Sequence, residues 1–214
     1  MSIAGLRRGT AEALLADGTT VTIRPVGPQD REAVLSLHTD RMSDESRRLR
    51  FFGVSLTAPL LAADRLCGAP RNGLLCLGAW AGDELIGEAD CEIPEDRPET
   101  AELALAVADR WHRRGAATLL LEHLVHAARG RGVRVFEADT LAGNRGVHKV
   151  FADLGLPVHR RLDRGEIRVR VPLDESDERY RAAVDERVFY AGHTVEMANL
   201  KAILEHRHRH GLPV

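Results

Sequence analysis

The 214-residue chain is poor in the residues that mark several kinds of protein. It has only three cysteines, Cys67, Cys76 and Cys91. The number is odd, no two form a C-x-x-C pair, and each lies in an apolar context. This argues against a disulfide framework or cysteine-bound metal and predicts reduced core thiols. No run approaches the roughly 18 apolar residues of a membrane span, and the opening MSIAGLRRGTAEALL lacks a signal-peptide cleavage pattern. A cytoplasmic protein without a membrane partner is expected. Lysine is scarce: of 30 basic residues, only Lys149 and Lys201 are not arginine. That bias is also what genome composition can produce. With a formal net charge of −2 and no base-reading motif, a dedicated nucleic-acid binder is disfavoured. No internal repeat is present.

What remains is long enough for one well-buried domain with an appendage and short for two independent cores. Residues 1–15 read as a loose N-terminal tail, 16–174 as the domain, and 175–214 as a helical C-terminal extension with apolar spacing at Tyr180, Val184, Val188, Met197, Leu200 and Leu204. TTVTIRPV (19–26) alternates branched residues as a strand does. A helix follows from Pro28 and Asp30, with Ala33, Val34 and Leu37 on one side. A second lies in MSDESRRLRFFG, where Ser43 can cap, acids fill the first turn, arginines the last, and Gly53 stops it. A third spans about Thr57 to Gly68. The period then changes to that of strands at 74–81 and 84–93, joined by a tight Gly82-Asp83 turn, and at 101–107. A helix with Leu119, Leu120, Leu124 and Val125 as its core face follows. Next come a strand at 133–139, a helix at 143–155, and closing strands near PVHRRL and EIRVRVPL. The fold class is α/β: a mixed central sheet of about six to seven strands with helices on both faces.

The fourth helix has an unusual entrance, DRWHRRGAATLLLEHL (109–124). A helix N-terminus presents unpaired N–H groups and a partial positive charge, and Gly115, Ala116 and Ala117 leave it open to an anion such as a pyrophosphate. His112, Arg113 and Arg114 add donors and charge. An Arg-Arg-Gly at a helix start can equally be a solvated turn.

The frame around this entrance, a strand ending at Val107, five residues to His112, then x-x-Gly-x-Ala, resembles the acyl-CoA pocket of the GNAT superfamily of N-acyltransferases. The pattern there is Gln or Arg, x, x, Gly, x, Gly or Ala. Gly115 and Ala117 match, and His112 departs from the first position. The resemblance spans about residues 18–173 and includes Asn144, at the start of the next helix, where family members commonly contact CoA. Within the superfamily, DGTTVTIRPVGPQDREAV and DESRRLRFFG are similar to segments of bacterial Pat-type protein-lysine acetyltransferases.

The resemblance implies acetyl-CoA as co-substrate, no metal, and an amine acceptor. It implies a pyrophosphate seat at His112, Arg113, Arg114, Gly115, Ala116 and Ala117, and a pantetheine-pairing strand at Leu105, Ala106 and Val107. It also implies Glu102 as general base, because a lysine ammonium with a pKa of about 10.4 must lose a proton before attack. Read from the residues alone, Glu102 is an exposed carboxylate at a strand end, and the small Ala104 and Ala106 fit tight strand packing as well as a ligand. Many family members carry a tyrosine seven residues after the asparagine, to help the CoA thiolate leave. Here that position is Phe151, so departure without a dedicated phenol is expected.

Arg47, Arg48 and Arg50 suit an acidic protein substrate, and equally the dipole of a helix end. Phe51 and Phe52 read as core or cleft wall. His206 and His210 have metal-capable spacing in what reads as a solvated end. The extension can pack on the domain, form a homodimer or cover the acceptor cleft. The expected activity is acetyl transfer to a protein lysine. The alternatives are acylation of a small-molecule amine and a non-catalytic acyl-CoA sensor.

Overall fold

The computed structural model describes residues 10–69 and 71–173. The expected C-terminal extension and its histidines lie outside the described residues. The strands are β1 (Ala11–Leu14), β2 (Thr20–Pro25), β3 (Leu74–Ala81), β4 (Glu84–Glu92), β5 (Thr100–Val107), β6 (Val135–Leu141), β7 (His159–Asp163) and β8 (Glu166–Pro172). The helices are α1 (Arg31–Asp40), α2 (Asp44–Phe51), α3 (Ala58–Cys67), α4 (Ala116–Arg129) and α5 (Arg145–Asp153).

The strands form one eight-stranded sheet in the order β1-β2-β3-β4-β5-β6-β8-β7. All neighbours run antiparallel except β5 and β6. The count exceeds the expected six to seven because the start expected to be loose contains β1. An Asp17-Gly18 turn folds β1 onto β2, with Gly18 at φ 82° and the Thr19 N–H donating to Asp17 Oδ1 at 3.0 Å.

Alternation along the strands divides the apolar residues between two faces. One face packs Ile86, Ala89, Cys91, Ala101, Leu103 and Val107 against α4 and α5. The other packs Cys76, Trp80, Leu85 and Ala106 against Val34 and Leu37 of α1 and Ala63 and Leu66 of α3. The core face of α4 is Leu120, Leu121, Leu124, Val125 and Ala128, so it is rotated from the expected one: Leu119 is only half-buried and Leu121 takes its place. Ser43 caps α2 as expected, accepting from the Ser46 N–H at 3.3 Å. The helix ends one residue early, however, with Phe52 rather than Gly53 in the left-handed conformation, at φ 60°.

The three cysteines are buried free thiols. Burial pushes Cys67 up to about 11 and Cys91 up to about 12, so both are unreactive as thiolates at neutral pH.

Candidate active site

The site is made by a break in the sheet. β5 and β6 pair at Thr100↔Val135, Ala101↔Phe136 and Glu102↔Glu137, and the ladder ends there. β5 nevertheless continues to Val107 while pairing β4, and β6 continues to Leu141 while pairing β8. The two strands therefore part like a V, leaving roughly 16 Å of β5 edge, from Leu103 to Val107, without a ladder partner on that side. Such an edge can pair with an extended ligand that carries amide groups.

The open edge leads into the helix entrance. After Val107, a single 3-10 turn over Asp109–Trp111 redirects the chain. His112 then turns back, and its Nε2 lies 2.8 Å from the Val107 carbonyl oxygen, closing the end of the strand. This side chain is thus engaged with the backbone at the end of β5.

Arg113 adopts φ 61° and Gly115 φ 90°, two left-handed residues in three positions. A Cβ on Gly115 would meet only the Ala16 nitrogen, at 3.9 Å, so the glycine is needed for its backbone angle and not for room. Gly115 gives α4 no side-chain cap, and the first helical bond runs from the Leu119 N–H to the Gly115 carbonyl at 3.0 Å. The N–H groups of Ala116, Ala117 and Thr118 precede it and form the positive end of the helix.

The two arginines differ in role. Arg114 pairs with Asp17 at 3.0 Å, lies 4.9 Å from the Trp111 ring centroid, and accepts the Ala16 N–H on its carbonyl at 3.0 Å. It ties the entrance to the β1–β2 hairpin. Arg113 is exposed and has no ion-pair partner among the described residues, which leaves its charge available to an anion. Asp17 and Trp111 went unrecognised in the sequence; the Asp-Gly turn was the one signal that pointed to the hairpin.

Glu102 sits at the apex of the V. Its side chain is 68% exposed and lies 3.5 Å from Arg97, which also reaches Glu137 at 3.1 Å. Glu92, Glu102 and Glu137 stand in register across β4, β5 and β6. Glu102, Ala104 and Ala106 share the face on which α1 and α3 pack. Asn144 caps α5 beside the end of β6, accepting the Val147 N–H at 3.1 Å, and Phe151 is buried in the core at 2% exposure. Among the described residues no cluster of three or more His, Cys, Asp or Glu could hold a metal, and no helix is long and apolar enough to cross a membrane.

The model of the acetyltransferase (GNAT) family matches residues 39–156, more than half of the chain, including β5, the entrance to α4 and Asn144. The chain belongs to the GNAT acetyltransferase family. It is 33% identical to the GNAT domain of S. lividans PAT, covering 75% of this chain and 95% of that one, with a TM-score of 0.68. It is also 28% identical over 159 residues to an acetyltransferase of Pseudomonas aeruginosa, covering 70% of this chain and 81% of the relative. An N-acetyltransferase of Thermoplasma acidophilum, solved in complex with coenzyme A, shares the fold at 16% identity and a TM-score of 0.54, over 71% of this chain and 98% of that one. As a GNAT member this protein is an acyltransferase that uses acyl-CoA for N-acetylation. Leu105, Ala106 and Val107 lie on the open edge, His112–Ala117 lead into α4, and Asn144 stands at the start of α5.

Proposed function

We propose that this GNAT acetyltransferase modifies a protein lysine, with Glu102 as general base. The observation that carries this reading is the position of Glu102. It lies where β5 and β6 stop pairing, on the same strand whose open edge runs to the Gly115 entrance, and its carboxylate is open to solvent. A side chain tethered to a protein surface can reach a carboxylate so placed. The resemblance of DGTTVTIRPVGPQDREAV and DESRRLRFFG to segments of Pat-type protein-lysine acetyltransferases supports this acceptor class.

The co-substrate supplies a thioester-activated acetyl group. The chain does the rest: the N–H groups of Ala116, Ala117 and Thr118, with the free Arg113, seat a pyrophosphate. The open edge of β5 at Leu105 to Val107 pairs with an amide-bearing arm and offers backbone donors for charge that develops on a carbonyl oxygen. Glu102 takes the proton of the attacking amine, directly or through water. Buried Phe151 gives no phenol to the leaving sulfur, and an ordinary thiol pKa of about 8.5 makes a thiolate a tolerable leaving group.

The test is Glu102→Gln, assayed against lysine-containing proteins and a panel of small amines. Turnover should fall about 10²- to 10⁴-fold, as for loss of a general base, with acetyl-CoA affinity unchanged. Full activity across pH removes Glu102 from this role. Acetylation of the small amines alone overturns the lysine acceptor.

A further inference from the structure

Helix α2 buries none of its residues in either core, yet it lies against both β5 and β6, over the strands that part. Polar contacts hold it there. Its first turn receives Asp109, which accepts the Ser43 N–H at 3.0 Å, and Arg47 donates to the Thr39 carbonyl at 2.6 Å. Its last turn inserts Arg50 beneath the helix, with only 14% of the side chain exposed, 3.2 Å from Asp90 and 3.5 Å from Glu88. Both acids project from β4, opposite Ala104 and Ala106 of β5, and Asp90 also binds Arg65 of α3 at 2.6 Å.

The carboxyl of Glu88 is fully buried, between the Arg50 guanidinium and the Asp90 carboxyl. His38 of α1, also fully buried, brings Nε2 to 3.7 Å from Glu88 Oε1 and meets the Phe51 ring edge-on at 5.3 Å. Among the described residues, neither ring nitrogen of His38 nor Nε of Arg50 has a hydrogen-bond partner. Four ionisable side chains, His38, Arg50, Glu88 and Asp90, gathered at one buried point are unusual in a core.

We propose that Glu88 and Arg50 are positioning residues for acyl transfer: through them α2 is held over the opening between β5 and β6. The proposal rests on the reading of that opening as the acyl-transfer cleft.

The anchor is linked to protons. Burial, reinforced by Asp90 and opposed by Arg50 and Arg65, pushes Glu88 well above the usual carboxylate range. The groups facing it are His38 from α1, Arg50 from α2, Arg65 from α3, Cys76 from β3 and Asp90 from β4. Burial pulls His38 down to about 3 and raises Cys76 well above its usual range, so neither changes charge between pH 5 and 8. Swinging α2 outward hydrates Glu88 and returns it toward its ordinary 4.5. The seated form therefore holds the proton more tightly. Its advantage is complete below the ordinary carboxylate range and declines, by up to about tenfold per pH unit, as pH rises toward the raised value.

The experiment is hydrogen exchange of the full chain between pH 5.5 and 8, corrected for the intrinsic pH dependence of exchange, in the wild type, Glu88→Gln and Arg50→Leu. Protection of the α2 amides should fall at least about tenfold across this range in the wild type, stay level in Glu88→Gln, and be low throughout in Arg50→Leu. α4 should stay protected in all three, showing an intact fold. A level wild-type profile, or the same slope in Glu88→Gln, overturns the proposal. Acetyl-CoA titrations run in parallel separate the two readings. No binding by the wild type overturns the cleft assignment, whereas binding alongside a level α2 profile overturns only the anchor.

Discussion

Replacing Gly115 with alanine isolates the backbone requirement at the helix entrance. At φ 90° and ψ −5° the residue is in left-handed territory, and a Cβ would find no atom closer than 3.9 Å. The cost is therefore conformational, about 1–2 kcal/mol for an L-residue in this region, with no steric part. For a domain of this size that lowers the melting temperature by about 2–8 °C. Asparagine tolerates the left-handed region better and should recover part of the loss. Thermal unfolding of wild type, Gly115→Ala and Gly115→Asn followed by circular dichroism provides the assay. The order wild type, Asn, Ala is expected. An alanine variant as stable as the wild type would refute the assigned conformation, and with it the open entrance to α4.

The two entrance arginines should separate cleanly. Arg113→Ala should weaken acetyl-CoA binding by calorimetry with little change in melting temperature, whereas Arg114→Ala, which loses Asp17 and the Trp111 face, should lower melting temperature more than affinity; the reverse pattern contradicts the assignment. Asp30 offers a pH test away from the site. Its carboxylate takes two hydrogen bonds from Arg24, at 2.8 and 2.7 Å, which hold it below the usual range. Its contribution is present above about pH 4 and lost as pH falls through the depressed value, so Asp30→Asn should cost about 1.5–3 kcal/mol at pH 7 and progressively less in acid, as measured by a series of urea unfolding curves from pH 7 downward.

Much of the architecture was legible because it is written in periodicity and punctuation. The β3–β4 hairpin follows from alternation on either side of Gly82-Asp83, and α2 from Ser43, its early acids and its late arginines. β1 was not legible, since AEAL has no alternation of its own. It becomes a strand by pairing β2 across Asp17-Gly18, a turn as readable as Gly82-Asp83. The rotation of α4 follows from packing: Leu119, Leu120 and Leu121 are consecutive, and only contact with the sheet decides which two face it.

For the site, the helix entrance was readable because small residues and a glycine at a helix start have a local physical meaning. The parting of β5 and β6 was not, because it is a property of register between segments more than 30 residues apart. The different roles of Arg113 and Arg114 depend on Asp17, nearly 100 residues away. The Glu88 cluster was hidden for a related reason: ELIGEADCEI reads as a strand with alternating acids, and only α1, α2 and α3 packing over one face buries Glu88 and Asp90.

The central claim is that the entrance to α4 seats the pyrophosphate of acetyl-CoA. Calorimetric titration of the purified protein with acetyl-CoA, beside Gly115→Glu, tests it most directly. A carboxylate about 4 Å from the anion should cost between about 1 and 4 kcal/mol, or roughly five- to thousand-fold in affinity, and less at high salt. Micromolar binding by the wild type, weakened in the variant, is the predicted result. Equal binding by both proteins, or none by the wild type, would contradict it.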